Sequence, residues 1–460
     1  MRLRAASALL PEGWARDVAI DVDDAGVITA VASAVPGEDG ERLAGPVVPA
    51  MPNVHSHAFQ RALAGRTGHP STDRDDTFWS WRQAMYAFLD HLDADAIEAI
   101  AAQVYVEMVK AGYTCVAEFH YVHHDPAGKP YADPAELALR IVAGARTAGI
   151  ALTLLPVFYA HAGFGGTAPT AAQRRFVHTT YTFTHLVDRL RERATTDGFV
   201  LGVAPHSLRA VTPEELGHVV RLAGPASPVH IHAAEQTREV EECYAWSRLR
   251  PVEWLLTQAN VDRRWCLVHA THMTDREVAA LAVSGAVAGL ALTTEADLGD
   301  GTFPGPGYWA ANGRFGVGSD SNTIVSPFAE LRQLEWSQRT RARRRNVLVG
   351  QDGTSVGTGL WQRAARGGAQ ATAQPVGTIA AGQRADLVVL DPDDPALAEQ
   401  APEDSLDAAI FGPSRHPVRD VLCAGRYVVR AGRHPQEDAV FAHYRATLVR
   451  LRAAAAAARR

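Results

Sequence analysis

The sequence predicts an α/β fold: a (β/α)8 TIM-like barrel with a small β-sandwich domain built from both chain termini. Three observations predict it. Short β-type runs alternate with helix-like stretches in the middle of the chain, several of these runs are apolar on both alternations, and both flanks carry hairpin patterns. A length of 460 residues also suits one large domain together with a smaller one.

Eight β-type runs predict the strands of the barrel. They are Val47–Val54, Tyr113–Phe119, Ile150–Phe158, Phe199–Pro205, Pro228–Ala233, Arg264–His269, Gly285–Leu292 and Arg314–Ser319. Helical spacing in Ala94–Ala111 and Asp133–Ala148, and a capping pattern after Thr212, predict helices between them. A doubly wound open sheet is the alternative, but the strand count and the length favour a closed barrel.

The two flanks predict β-structure of another kind. The candidate strands are Arg16–Val22 and Val27–Ser33 near the N-terminus, and Ala385–Leu390, Val418–Cys423 and Arg426–Arg430 near the C-terminus. Neither flank has enough strands to bury a face alone. We therefore expect residues 1–48 and 373–435 to form one β-sandwich domain beside a barrel over 49–372, with a surface helix over 436–460.

Composition and charge exclude several classes of partner. The net charge is −6, and only Lys110 and Lys129 accompany forty-three arginines, so nucleic acid is not an expected partner. The basic cluster Arg339–Arg345 is interpreted as a solvated helix face. No apolar run approaches the length of a membrane span, and the N-terminus lacks a convincing signal peptide. These features predict a cytoplasmic protein without a membrane partner.

Histidine is concentrated at the predicted strand ends. Sixteen of the nineteen histidines lie between residues 55 and 272. Six predicted strands end in a histidine or an aspartate: His55 with His57, His120, His206, His232, His269 and Asp320. In a β/α barrel the carboxyl ends of the strands form the face that carries the active site. The pattern therefore predicts one shared site at that face.

His55 and His57 give the strongest local signal. Residues two apart in a strand project to the same side, so both imidazoles can reach one cation. His232 would add a third imidazole, and Asp320 a carboxylate. Taken alone, Asp320 fits a helix N-cap and Glu235 fits an acid at a helix N-terminus, but the neighbouring histidines favour roles at the site.

Three neutral imidazoles and one carboxylate predict one divalent metal ion, for which Zn²⁺ is the best match, with Fe²⁺ and Mn²⁺ as alternatives. A two-metal barrel site would typically need a bridging carboxylated lysine. Lys110 lies in a predicted helix and Lys129 in a predicted loop, so neither sits at a strand end. The sequence therefore predicts a single-metal site.

These residues resemble the amidohydrolase superfamily, in particular its mononuclear deaminase branch. The motifs that carry the resemblance are His55-Ser-His57, His232 followed by Glu235, His269, Ser319-Asp320, and the segment Gly377–Asp391, which is similar to the superfamily's C-terminal β-domain. More narrowly, the segments Met51–Ala62, Ala117–Tyr121, Pro205–Arg209, His232–Gln236 and Thr293–Gly301 resemble the formimidoylglutamate deiminase family. The resemblance covers essentially the whole chain.

The resemblance implies a role for each residue of the site. The metal ligands would be His55, His57, His232 and Asp320; the catalytic residues would be Glu235, His269 and Asp320; the substrate would contact Gln60, Arg82, Tyr121, His206 and Arg209. The family hydrolyses N-formimidoyl-L-glutamate to N-formyl-L-glutamate and ammonia in histidine degradation. The implied partner is therefore a small-molecule dicarboxylate, and the resemblance is consistent with a homodimer.

The chemistry of the implied substrate agrees with these residues. Arginine's planar fork makes two hydrogen bonds with one carboxylate, which lysine cannot do. Arg209 and Arg82 would meet that need. Asp297 departs from the family, in which we expect asparagine. A further negative charge facing the pocket would oppose a dianionic ligand, so we interpret Asp297 as structural.

Two other functions fit part of the sequence. A related deaminase acting on an aminated purine or pterin ring would use the same metal site, but a neutral ring does not require the clamp of Arg209 with Tyr121 and His206. A non-catalytic scaffold that kept the barrel for binding would be expected to have lost ligands. All four candidate ligands are present together with Glu235.

Overall fold

The computed structural model describes residues 1–35, 37, 39–66, 76–350, 353–412 and 417–458. The strands are β1 (Arg2–Leu10), β2 (Gly13–Val22), β3 (Ile28–Ser33), β4 (Glu41–Arg42), β5 (Val47–Pro49), β6 (Met51–Ser56), β7 (Tyr113–His120), β8 (Ala151–Phe158), β9 (Val200–Leu201), β10 (Ala204–Pro205), β11 (Val229–Ala233), β12 (Trp265–His269), β13 (Val287–Leu290), β14 (Arg314–Val317), β15 (Leu387–Leu390), β16 (Val418–Cys423) and β17 (Arg426–Val429).

The helices surround these strands. They are α1 (Phe78–Leu89), α2 (Ala94–Ala111), α3 (Glu136–Ala148), α4 (Thr180–Asp197), α5 (Pro213–Leu222), α6 (Thr237–Ser247), α7 (Pro251–Gln258), α8 (Asp275–Ser284), α9 (Leu292–Leu298), α10 (Gly305–Ala310), α11 (Pro327–Ala342), α12 (Val356–Thr372), α13 (Ser405–Phe411) and α14 (Glu437–Ala458). Short 3-10 helices cover Ala58–Leu63, Ala171–Gln173 and Pro402–Asp404.

The central strands form the predicted parallel barrel. Their order is β10-β8-β7-β6-β14-β13-β12-β11, with β9 paired to β8. The two edges of this sheet meet where Val203 and Ser207 form parallel bridges with Val229 and His232. Every residue of β7, β11 and β12 is buried, as strands covered on both faces require. The barrel prediction is therefore confirmed.

Local sequence signals account for the helix boundaries. The Thr212 side chain accepts the backbone N–H of Glu215 and starts α5, as the capping pattern predicts. Helix α2 begins after Asp93, whose side chain accepts the N–H of Ala96, and ends at Gly112 in the left-handed region. The basic cluster Arg339–Arg345 lies only partly on a helix, because α11 ends at Ala342.

The two ends of the chain form the second sheet. The order is β17-β16-β15-β5-β1-β2-β3, with β4 paired to β1, so the C-terminal strands join the N-terminal strands through the pairing of β15 with β5. This confirms that the small β-structure is built from both flanks. The sequence prediction left out β1, which lies inside the sheet. Its inward positions include alanines such as Ala5 and Ala8, residues that favour strands weakly and so weaken the pattern.

The run Val47–Val54 is two strands and not the single strand that we expected. Strand β5 pairs with β1 and β15 in the terminal sheet, whereas β6 pairs with β7 and β14 in the barrel. The change occurs at Ala50. Its N–H donates to the carbonyl of Asp386, and the next N–H, of Met51, donates to the carbonyl of Gly112. The residues on both sides of Ala50 are apolar, and such a run does not reveal a change of pairing partner. The sequence therefore predicts one strand where the structure has two.

The described residues also bear on membrane crossing and on the state of the cysteines. None of the helices within these ranges combines the length and the apolar character that crossing a bilayer would need. All four cysteines are free thiols, and Cys115, Cys243 and Cys266 are buried.

We expect Leu3→Ala to weaken the terminal sheet. Leu3 is fully buried in a core that also holds Leu387 and Leu422 from the other end of the chain. Removing its side chain should lower the free energy of unfolding by about 2–5 kcal/mol, measured by denaturant titration. The matched control Val283→Ala, at an exposed position, should change it by less than about 0.5 kcal/mol. An equal, small effect of both substitutions would contradict this role of Leu3.

Candidate active site

Three buried imidazoles converge at the carboxyl end of the barrel. The Nε2 atom of His55 lies 3.2 Å from that of His57 and 3.1 Å from that of His232. His55 lies in β6 and His57 directly follows that strand, whereas His232 lies in β11. These are the residues within the described ranges whose ligand atoms form a cluster able to hold a metal ion.

Hydrogen bonds from the strands fix which nitrogen faces the centre of this cluster. His57 Nδ1 lies 2.9 Å from the carbonyl oxygen of Phe119, and His232 Nδ1 lies 3.0 Å from that of His206. A carbonyl oxygen only accepts, so each Nδ1 carries the proton and each Nε2 keeps a free lone pair. Burial lowers the pKa of His55 to about 3 and lowers the pKa values of the other two ligand rings, so all three are neutral.

The arrangement fits a divalent cation. Neutral imidazole is the form that binds metals. In tetrahedral zinc coordination with bonds of about 2.0–2.1 Å, the ligand nitrogens would lie about 3.3–3.4 Å apart. The observed separations of 3.1–3.2 Å are close to that value. A cation at the centre of the cluster would accept the lone pairs of these nitrogens.

Asp320 is brought to the cluster by the pairing of β14 with β6. The N–H of Asp320 donates to the carbonyl of His55, and the N–H of His57 donates to the carbonyl of Asp320, both at 2.9 Å. Its Oδ1 atom lies 3.5 Å from Nε2 of His55 and 3.4 Å from Nε2 of His57. A Cβ at Gly318 would lie 2.7 Å from the carbonyl oxygen of His55, so this close approach requires glycine.

Two asparagines lock these strand ends together. The side-chain amide of Asn53 donates to the hydroxyl of Ser319 at 2.7 Å. From the other side, the amide of Asn322 donates to the carbonyl of His57 at 3.1 Å. The main chain on both sides of Asp320 is therefore tied to the strand that carries the first two imidazoles.

Three strand ends at the site have strained backbones. Ala234, His269 and Asp320 have φ values of 53°, 68° and 44°, in the left-handed region that non-glycine residues rarely adopt. Each such conformation costs on the order of 1–3 kcal/mol and persists only where the surroundings impose it. Their grouping at one rim indicates that the strands end in turns selected for side-chain placement and not for stability.

His269 lies among three carboxylates. Its Nε2 is 3.7 Å from Glu235 Oε1 and 4.0 Å from Asp320 Oδ2, and its Nδ1 is 3.3 Å from Glu295 Oε1. Burial alone would lower the pKa of His269, but the charge of Glu235 and the hydrogen bond with Glu295 help to raise it to about 10. Burial also raises the pKa of Glu235, against the opposing effect of His269 and Arg209. Groups able to give and accept protons thus meet beside the imidazole cluster.

One wall of the cavity carries two arginines, Arg82 and Arg209. Arg209 is buried, its Nη2 lies 3.7 Å from Glu235 Oε2, and its Nε–H has no hydrogen-bond partner among the described residues. Arg82 donates from Nε to the hydroxyl of Tyr86 at 2.7 Å. Both guanidinium groups lie beside the ring of Trp79, at 5.4 Å for Arg82 and 5.9 Å for Arg209. This wall therefore offers hydrogen-bond donors to an anion.

The structure brings the predicted site residues into one cavity. Its lining includes His57, Gln60, Arg82, Tyr121, His206, Arg209, His232, Glu235, His269 and Asp320. His55 is not part of this lining, but its ring contacts His57 and His232, which are. Gln60 donates from its amide to the hydroxyl of Tyr121 at 2.9 Å, and the ring of His206 packs 4.8 Å from that of His232.

Two residues singled out in the sequence lie outside the cavity lining. His120 ends a barrel strand, but its ring packs against His123, with ring centroids 5.4 Å apart. Adjacent strand residues point to opposite sides, so a strand-end position alone does not place a side chain in the site. Asp297 is exposed on α9 and does not line the cavity, so it adds no side chain to the pocket.

Sequence reasoning missed four buried acids around the site. They are Glu118, Glu239, Glu295 and Asp300. Glu118 accepts the N–H of Ala58 at 2.7 Å, and burial raises the pKa of its carboxyl group to about 7. Burial, reinforced by the charge of Glu235, raises the pKa of Asp300 to about 9. The segments Ala117–Tyr121 and Thr293–Gly301, which carry the family resemblance, contain Glu118, Glu295 and Asp300. Nothing in the spacing of these segments marks the acids as neighbours of the site.

The chain is similar to known proteins over most of its length. The sequence model of the amidohydrolase family matches residues 47–428. A formimidoylglutamate deiminase from Pseudomonas aeruginosa is 52% identical over 434 residues, which cover 94% of this chain and 95% of that protein.

Two solved structures are similar to this chain over nearly its whole length. An amidohydrolase from Brucella melitensis is 47% identical, with a TM-score of 0.91 over 98% of this chain and 99% of that one. An adenosine deaminase from Xanthomonas campestris, solved with bound zinc, is 22% identical, with a TM-score of 0.78 over 98% of both chains. The second likeness concerns the fold.

We expect His57→Asn to lose most of the bound metal, because it removes a ring whose Nδ1 is anchored on Phe119 and whose Nε2 faces the cluster. Elemental analysis of the purified wild-type protein should give about one divalent ion per chain, and the variant should give much less. The control His218→Asn changes a histidine that bonds Thr184 on a neighbouring helix and should keep the metal. Two ions per chain at full activity would contradict the single-metal prediction.

Proposed function

Because the chain belongs to the amidohydrolase family, we propose that it hydrolyses N-formimidoyl-L-glutamate to N-formyl-L-glutamate and ammonia with the help of a divalent metal ion. The observation that carries the proposal is the arrangement of one cavity. A buried guanidinium, Arg209, faces it together with the carboxylate of Glu235 and the imidazole cluster. The Pseudomonas aeruginosa relative named above supports the choice of substrate.

The metal ligands that we propose are His55, His57, His232 and Asp320. Zn²⁺ is our choice of ion, since three nitrogens and one carboxylate oxygen match its preferences, and it is the ion named for the adenosine deaminase of the same fold. Held by these residues, the ion would lower the pKa of water toward about 7 and so make hydroxide available at neutral pH.

Two carboxylates would handle the protons. Asp320 would accept the proton of the attacking water, and Glu235 would deliver a proton to the nitrogen that leaves as ammonia. Both carboxylates lie within 4.0 Å of Nε2 of His269, so protons have a short path at the reacting centre. Proton transfers of this kind accelerate reactions by roughly 10²- to 10⁴-fold each.

His269 would orient the attacking water and stabilise the tetrahedral intermediate. Its Nδ1 is held by Glu295, which leaves Nε2 directed at the space between Glu235 and Asp320. Since the ring carries a proton at neutral pH, Nε2–H can donate a hydrogen bond there. The ring thus complements negative charge that develops as the amidine carbon is attacked.

The arginine wall suits the glutamate part of the substrate. Arg209 has an unpartnered Nε–H, within the described part of the chain, and can present two donors to one carboxylate. Arg82 would contact the second carboxylate, and Gln60, Tyr121 and His206 would complete the binding surface. A pocket for a neutral purine or pterin ring would have no use for a buried guanidinium at this position.

The proposal is tested by measuring ammonia release from N-formimidoyl-L-glutamate by the metal-loaded protein. Guanine and a formimidoyl derivative of an amino acid with one carboxylate serve as controls. We expect efficient release from the dicarboxylate only. No release from N-formimidoyl-L-glutamate at full metal occupancy would defeat the assignment, and preference for guanine would favour the ring deaminase.

We expect Glu235→Gln to keep the metal and lose most turnover, because glutamine matches the shape of glutamate but cannot carry the proton. A fall in kcat of at least about 100-fold is consistent with the loss of one general acid–base step. The control Glu241→Gln removes a charge at an exposed position of α6 and should leave kcat unchanged. Near-normal kcat in the Glu235 variant would refute the proton-shuttle role.

A further inference from the structure

The turn that carries Glu235 has a strained backbone. Strand β11 ends at Ala233 and helix α6 begins at Thr237, so residues 234–236 alone direct Glu235 into the cavity; we call them the Glu235 turn. Ala234 has a φ of 53°, a strained conformation for a residue other than glycine. The turn therefore needs contacts that hold it.

The carboxylate of Glu239 provides those contacts. Its Oε1 accepts the N–H of Ala234 at 3.1 Å, and its Oε2 accepts the N–H of Glu235 at 3.2 Å. Glu239 lies in the first turn of α6, so its side chain reaches back over the start of the helix. The residue is 1% exposed and is absent from the cavity lining, so it holds the turn from behind.

Arg209 balances the buried charge of Glu239. Its Nη2 atom lies 3.9 Å from Glu239 Oε2 and 3.7 Å from Glu235 Oε2. A buried carboxylate is stable only with compensating hydrogen bonds and charge. Because Glu239 is a second counter-ion of the guanidinium, Arg209 does not depend on an ionised Glu235 alone. Glu235 can therefore take up and release a proton without leaving the arginine unbalanced.

We propose that Glu239 is a positioning residue that sets the Glu235 turn and so places the proton-carrying carboxylate at the reacting centre. The inference rests on the proposed function, in which Glu235 is the proton shuttle. An ordinary helix-capping acid would contribute to stability and leave turnover unchanged. A positioning residue affects kcat in protein that remains folded and loaded with metal.

The first test is Glu239→Gln with the control Glu241→Gln, which changes the same charge at an exposed position of the same helix. Glutamine has one acceptor oxygen, so it can satisfy one of the two N–H groups, and its NH₂ group faces the other. We expect kcat for N-formimidoyl-L-glutamate to fall at least 10-fold and KM to change less than about 3-fold. The control should match the wild type in both constants, and all proteins should contain the same amount of metal.

A second test asks whether the turn itself is what Glu239 supports. Glycine adopts left-handed φ values without a Cβ penalty, so Ala234→Gly lowers the cost of the turn. The double variant should have a kcat at least 3-fold higher than that of Glu239→Gln. Ala234→Gly alone should leave kcat near the wild-type value. No recovery would overturn the positioning role, because the defect would then not lie in the backbone of the turn.

Further results would overturn the positioning role of Glu239. A kcat of Glu239→Gln within 2-fold of the wild type overturns it, and so does a loss of turnover explained by loss of metal. If Glu239→Gln does not fold, Glu239→Asp decides, because aspartate keeps both oxygens but is shorter by one methylene. We expect at least a 3-fold loss of kcat for the aspartate variant, and wild-type kcat would overturn the inference. Inactivity of the wild-type protein would instead defeat the proposed function.

Discussion

The Nε2 atom of His55 lies 3.2 Å from that of His57 and 3.1 Å from that of His232, a crowding of ring nitrogens that a divalent cation between them would make favourable. The surrounding structure maintains this arrangement. Carbonyl groups of neighbouring strands orient two of the rings, burial keeps all three neutral, and a pair of backbone hydrogen bonds brings Asp320 beside them. The free energy spent on crowding the rings and on the left-handed strand ends is offset when a divalent ion binds.

Much of the fold could be predicted because a parallel barrel imposes a simple pattern. Its strands are buried on both faces and its helices begin at recognisable caps, so the eight runs and Thr212 were visible in the sequence. The hydrophobic pattern does not predict a strand boundary where the pairing partner changes but the residues stay apolar, nor a strand built from small residues. At Ala50 the chain passes between sheets, and in β1 small residues such as Ala5 give little strand signal.

The candidate site was predictable to the extent that it follows strand ends. His55, His57, His232 and Asp320 meet because barrel strands end at a common rim. The sequence gives no such signal for acids whose side chains bind backbone N–H groups near the site. Glu239 looks like any acid in the first turn of a helix, and its hydrogen bonds to the Glu235 turn depend on a backbone conformation that spacing does not reveal.

The junction at Ala50 also limits how this chain can change in length. One residue separates the strand that completes the terminal sheet from the strand that ends in the first two imidazoles. Side chains alternate along a strand, so inserting one residue here would turn His55 and His57 away from their partners if the terminal sheet kept its pairing. The register of a sheet remote from the chemistry is thereby coupled to the geometry of the proposed metal ligands, and the two must vary together.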